Sequence, residues 1–260
     1  MRQGRGEGGR SVAERVSVVL EHCAASSRPL TLTELASRTG LPKTTLHRVC
    51  WKLEELGLLN HSPAGFEVAA RLFALGSMNP RLRQLRVIAM PYLHALATES
   101  GWVVNLAILS GDRALIVEEV SSGQLPQIAR MGGTSMPLHA TAIGKALLSG
   151  MPEDELDALV GEEPLHPFTG RTVVRPNLLR EQLAAIRACG VAFSHEEWRM
   201  GTSGVASPVV VHGEVHASVA LVGISDASAL RRLADPVRRA ADGVARGLAD
   251  TRPAAVAWPG

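Results

Sequence analysis

No run of apolar residues approaches the roughly 20 that a membrane-spanning helix requires, although 46% of the chain is hydrophobic. The N-terminus, MRQGRGEGGR, is basic and Gly-rich with no apolar segment behind it. No secretory signal is expected there, residues 1–10 read as a disordered tail, and the cytoplasm is the expected compartment. Cysteine is equally sparse. Cys23, Cys50 and Cys189 lie far apart and form no CxxC pair. That argues against a disulfide framework or a cysteine zinc site and leaves each as a small buried hydrophobe in a helical context. No sign of charge dominates either: 27 Lys and Arg face 25 Asp and Glu, for a net +2. Bulk charge therefore says nothing about nucleic acid. The distribution says slightly more, because residues 28–52 hold Arg28, Arg38, Lys43, Arg48 and Lys52 against one acid, Glu34, a local excess suited to contacting a few phosphates.

A chain of 260 residues is long enough for two ordinary domains. Val12, Val16, Val19 and Leu20 recur at helical spacing over residues 11–25, and SSRP ends that helix. Thr31-x-x-Glu34 opens a second helix with a capping-box pattern, and Gly40 closes it. Pro42 is placed as the first residue of a third helix reaching about residue 56. Residues 58–68 have apolar ends around a Ser-Pro-Ala-Gly turn, as a short hairpin would. Three helices and a hairpin over 11–68 predict a winged helix-turn-helix, followed by a linker helix in 69–80.

Residues 81–250 mix the two periodicities. Leu82 to Leu96 trace a helical face that Pro91 either kinks or restarts. VVNLAIL and ALIVEEV flank SGDR as a hairpin pair, LPQIARM reads as a third strand, and PLHATAIGKALLSG as a turn into a short helix. Helices are expected at 153–160, 177–189 and 229–248, with strands in VAFSHEEW, VASPVVV and VHASVALVGI. Hairpin-joined strands with helices around them predict an α+β fold, an antiparallel sheet covered by helices. Residues 251–260 read as a second disordered tail.

On a wheel of the third helix, Leu46, Val49, Cys50 and Leu53 form the core face. Thr44, His47, Arg48 and Trp51 gather opposite, flanked by Lys43, Thr45 and Lys52. That outer face carries hydroxyl, imidazole and guanidinium groups, the types that meet phosphates and base edges. A recognition helix works mainly through its first two turns. Arg48 and His47 are thus assigned to base edges or phosphates, and Lys43, Thr44 and Thr45 to phosphates near the helix N-terminus. Trp51 either joins them or packs under the hairpin, the second being favoured.

The string LTLTELASRTGLPKTTLHRVCWKLEELGLL resembles the helix-turn-helix of the IclR family of bacterial transcription regulators. ESGWVVNLAIL, GTSMPLHATAIGKALL and HEEWRMGTSGVASPV follow in that family's order. The resemblance implies a GAF-like effector-binding domain, a homodimer or dimer of dimers, double-stranded DNA with a palindromic operator as partner, and operator binding modulated by a small-molecule effector. It also implies an effector pocket lined by Leu125, Ile128, Met136, Ala142, Ile143, Ser194, Thr202, Gly204, Val222 and Ile224. Because most of those side chains are apolar, the expected effector is aromatic or otherwise hydrophobic, with one carboxylate or carbonyl facing backbone amides near Ala142 and Ile143.

The competing reading is a metabolic enzyme built on the second domain. HGEVH (212–216) has two His four apart, but the internal Gly and the Glu spacing do not suit a zinc helix, so it reads as a hairpin turn. AIGKA lacks the first Gly and the final Ser/Thr of a phosphate loop, with His139 and Ala146 in those places. Glu196 and Glu197 would face opposite sides of a strand, which does not suit acid–base work. His139 either caps the following helix or faces the pocket, the structural role being favoured. No catalytic residue, metal site or cofactor is expected, nor any membrane partner. A pure oligomerisation module would leave the third helix's outer face unexplained.

Overall fold

A computed structural model describes residues 10–122, 133–224 and 227–251, without the side chains of 224 and 227–229. The chain divides into two compact units, one ending at Pro80 and one beginning at Arg81. Both expected tails lie almost wholly outside the described residues, as does the expected strand LPQIARM.

In the first unit, α1 (Val12–Ala24) starts at a capping box in which the Ser11 hydroxyl accepts from the Glu14 amide and the Glu14 carboxylate accepts from the Ser11 amide. The same device starts α2 (Leu32–Thr39) at Thr31 and Glu34. α3 (Lys43–Glu55) begins one residue later than expected, with Pro42 as its N-cap. The hairpin is β1 (Leu59–Ser62) paired with β2 (Gly65–Val68) around a Pro63-Ala64 loop. Leu30 and Phe66 exchange two backbone hydrogen bonds of 2.8 Å, tying the hairpin to the entry of α2. Gly65 makes that approach possible. Its φ is +128°, and a Cβ there would lie 2.4 Å from the Leu30 carbonyl. The core joins Val19, Leu35, Leu46, Val49, Leu53, Leu59 and Phe66, each large aliphatic chain contributing roughly 1.5–3 kcal/mol on burial. Cys23 and Cys50 lie in it, and burial pushes their thiols up to about 11 and about 12. Cys189 departs from the expectation of a buried thiol: it is exposed at the end of its helix. α4 (Ala70–Ser77) then follows with none of its residues buried.

The second unit is a three-layer α+β fold. Its antiparallel sheet runs in the order β5-β4-β3-β8-β7-β6: β3 (Val103–Ser110), β4 (Arg113–Val120), β5 (Ser135–Pro137), β6 (Ala192–His195), β7 (Thr202–Val211) and β8 (Glu214–Ile224). α5 (Pro80–Ser100) and α10 (Ala234–Asp250) cover one face, packing on Val104, Leu106, Val205, Val209, Val219 and Leu221. α6 (Ala142–Leu148), α7 (Glu153–Val160) and α8 (Pro176–Cys189) cover the other, over Ala107, Ala206 and Ala220. Strand alternation separates the two sets: large aliphatics on one face, small residues on the other.

Several elements differ from the sequence reading. α5 is continuous through Pro91. The carbonyl that Pro91 deprives of a partner belongs to Val87, a residue on the exposed side of the helix. The last helix is two, α9 (Ala227–Arg232) and α10, because Pro236 has no N–H to give the Arg232 carbonyl. His212 and Gly213 form the β7–β8 turn, both at positive φ, as a two-residue type I′ hairpin requires. Glu196 and Glu197 are not on a strand at all. β6 ends at His195, and Glu196 turns the chain at φ 56°.

Candidate DNA-reading face and effector pocket

On α3, Lys43, Thr44, His47 and Arg48 are exposed and Thr45 half-buried, while Leu46, Val49, Cys50 and Leu53 hold the helix to its core. Lys43 and Arg48 have no ion-pair or hydrogen-bond partner among the described residues. Lys52, a flanking candidate, is engaged by both oxygens of Glu55 at 3.0 Å. Trp51 packs on the hairpin, its ring 4.7 Å from His61 and edge-on to Phe66 at 5.6 Å. Its indole N–H donates to Nε2 of His47 at 2.9 Å. Nε2 must then be unprotonated, which leaves Nδ1 as the donor of the neutral ring. No side chain caps the first turn of α3, unlike α1 and α2, so its leading amides carry the positive end of the helix outward.

The second unit contains a narrow cavity of about 440 Å³, counting its open mouth, between the small-residue face of the sheet and α6. The turn before α6 can close onto the helix because residue 144 is Gly: a Cβ there would lie 2.4 Å from the Leu138 carbonyl. Met136, Ala142, Ile143, Ser194, Thr202, Gly204 and Val222 line this one cavity. Leu125 and Ile128 lie outside the described residues, as does the side chain of Ile224, whose backbone pairs with Thr202. Asn105, Ile116, Ala140, Thr141, Trp198, Ser203 and Ala220 complete the described lining, and none of these described residues carries an ionisable side chain. Most of its hydroxyls already have partners. Ser194 donates to the Ala140 carbonyl at 3.2 Å, and Ser203 pairs with His195 at 2.9 Å. Thr141 donates to the Pro137 carbonyl at 2.8 Å and accepts from the Gly144 amide at 3.1 Å. With α6 only seven residues long and that amide occupied, little of its terminal field remains for a ligand.

A model of the IclR helix-turn-helix domain matches residues 12–63, and a model of the C-terminal domain of the bacterial transcriptional regulator IclR matches residues 81–246. The chain belongs to the IclR family. The acetate operon repressor of Salmonella typhimurium is 35% identical over 210 residues, 79% of this chain and 77% of that protein. The transcriptional repressor IclR of Escherichia coli is 33% identical over 210 residues, again 79% and 77%. A crystal structure of an IclR homolog from Microbacterium hydrocarbonoxydans, complexed with 4-hydroxybenzoate, matches with a TM-score of 0.80 at 25% identity, covering 93% of this chain and all of that one. This IclR-family chain is thus a DNA-binding transcription regulator whose operator binding is modulated by a small molecule in its C-terminal domain. No described helix is long and apolar enough to cross a membrane.

Beside the pocket lies a feature the sequence reading missed. Lys145 of α6 is 1% exposed. Its ammonium donates to the two oxygens of Glu197 at 2.8 and 3.1 Å and to Gln182 of α8 at 3.0 Å. Burial pulls its pKa down against the pull of Glu197. The pair fastens α6 to the 196–201 turn that delivers Trp198 to the cavity, and Thr169 and Thr172 hold the Glu196 and Glu197 carbonyls from the other side at 2.7 and 2.6 Å. A Lys and a Glu 52 residues apart give no sign in sequence of meeting. His139 neither caps α6, a role Thr141 fills, nor lines the cavity. It contacts the His166 carbonyl at 3.0 Å and stacks on Phe168, and burial lowers its pKa.

Proposed function

We infer that the effector of this IclR-family regulator is a largely apolar, single-ring carboxylic acid held in the cavity beneath α6. We infer also that Lys43, Thr44, Thr45, His47 and Arg48 contact the operator. The observation that carries the ligand class is the cavity lining, which among the described residues is more apolar than polar and without charged side chains. A two- or three-carbon keto acid would exchange its hydration for almost no polar partners. A ring buries apolar area at about 25 cal/mol per Å² and leaves its carboxylate at the open mouth. The likeness to a regulator whose bound molecule is 4-hydroxybenzoate supports the same class.

The operator is a palindrome read by a symmetric dimer, since one recognition helix covers too few base pairs for specificity. α4 and its C-cap support this assignment: Phe73 is 74% and the capping Met78 73% exposed, an apolar surface suited to a second copy. The protein acts in the cytoplasm, where its DNA is, and works as a regulator rather than an enzyme, in keeping with the transcriptional repressors it resembles. Calorimetric titration with 4-hydroxybenzoate, benzoate, glyoxylate and pyruvate tests the ligand class. Binding confined to the aromatic acids is expected; tight binding of glyoxylate or pyruvate with no response to either aromatic acid contradicts it.

A further inference from the structure

Asn105 sits in the central strand β3, between Glu119 of β4 and Ala220 of β8, and its side chain points to the small-residue face. It is 1% exposed, lines the cavity, and its Oδ1 has no hydrogen-bond partner. Nor does its amide nitrogen have one among the described residues. An unpaired amide is an expensive thing to bury, and an aliphatic residue would serve the sheet better at that position. The neighbouring polar groups do not relieve it, since Ser194, Ser203 and Thr141 are bound elsewhere. Lys145, the buried cation of α6, is engaged by Glu197 and Gln182.

We propose that Asn105 is the specificity-determining residue of the pocket, and that it selects an effector whose inner end is a neutral hydroxyl. The inference rests on the ligand site described under Proposed function. A hydroxyl donates to Oδ1 and accepts from Nδ2, satisfying both ends of the amide. An ionised carboxylate has no proton for Oδ1 and finds no counter-charge among the described lining residues, which disfavours it at the inner end. The effector is thus a hydroxylated aromatic acid, oriented hydroxyl inward and carboxylate outward.

The test titrates the full-length protein and its Asn105→Val and Asn105→Ala variants with 4-hydroxybenzoate and benzoate, and follows thermal unfolding without ligand. The wild type is expected to prefer 4-hydroxybenzoate to benzoate by at least about tenfold, the scale of one buried hydrogen bond to a ligand hydroxyl. Asn105→Val should erase that preference while its unliganded melting temperature stays level or rises. Equal affinity of wild type and variant for 4-hydroxybenzoate overturns the role of Asn105 and leaves the aromatic ligand class standing. If no aromatic acid binds the wild type, the ligand class fails, and unfolding decides on Asn105. A lowered melting temperature in both variants makes the amide a structural group and overturns the proposal, whereas a level or raised one in Asn105→Val supports a group kept for a ligand.

Discussion

At the scale of single residues, the most informative side chains are those without partners. Arg48 is exposed on the outer face of α3 with no ion pair among the described residues, whereas Lys52 one turn on is held by Glu55. Arg48→Ala should therefore weaken operator binding by about 1–3 kcal/mol if the guanidinium meets a guanine edge, with unfolding unchanged. Anisotropy titration of labelled DNA measures the first and denaturant melts the second; unaltered affinity removes Arg48 from the contact set. Glu34 shows the opposite case, a charge fully employed. The Arg28 guanidinium, then the Thr31 amide and hydroxyl, hold its carboxyl down to about 2. A carboxyl depressed in the folded state contributes stability that is complete above its unfolded pKa, about 4.3, and fades as pH falls toward 2. Melting of the wild type and Glu34→Gln should converge over that window, and a gap that persists at pH 2 would mean the contribution is not ionic.

At the scale of elements, legibility followed locality. The capping box of α2, the core stripe of α3 and the Ser110–Arg113 hairpin turn are encoded by residues within a few positions of one another, and the structure contains each. The break before α10 was also local, carried by Pro236, but the periodic apolar pattern across it outweighed a single breaker in the reading. The pocket was legible only through family resemblance. Asn105, Trp198 and Thr141 come from β3, a turn and the approach to α6, and no periodicity joins them. The Lys145–Glu197 pair was illegible for the same reason. Its energetics differ from those of the surface pairs. Glu197→Ala leaves an ammonium buried with one remaining partner, so a loss of about 3–5 kcal/mol is expected. Glu153→Ala opens a pair with Arg187 in which Glu153 is 65% exposed, and under about 1 kcal/mol is expected. Urea melts compare the two; equal losses would show that the buried pair is not what anchors α6.

At the scale of the whole molecule, regulation is a coupling between two binding events, operator and effector, for which the α3 face and the cavity beneath α6 are the proposed sites. Any effector that alters operator affinity must have its own affinity altered by operator to the same factor. That reciprocity requires no particular arrangement of the two units, only states that both ligands distinguish. The most direct measurement is a titration of the full-length protein against its own upstream DNA, with and without saturating 4-hydroxybenzoate, in a competitor background at fixed salt. Specific binding that needs both halves of a palindrome, is lost in Arg48→Ala, and shifts at least about fivefold with the aromatic acid is the expected result. Upstream DNA bound no better than random competitor, or an operator affinity that saturating ligand leaves unmoved, would contradict it.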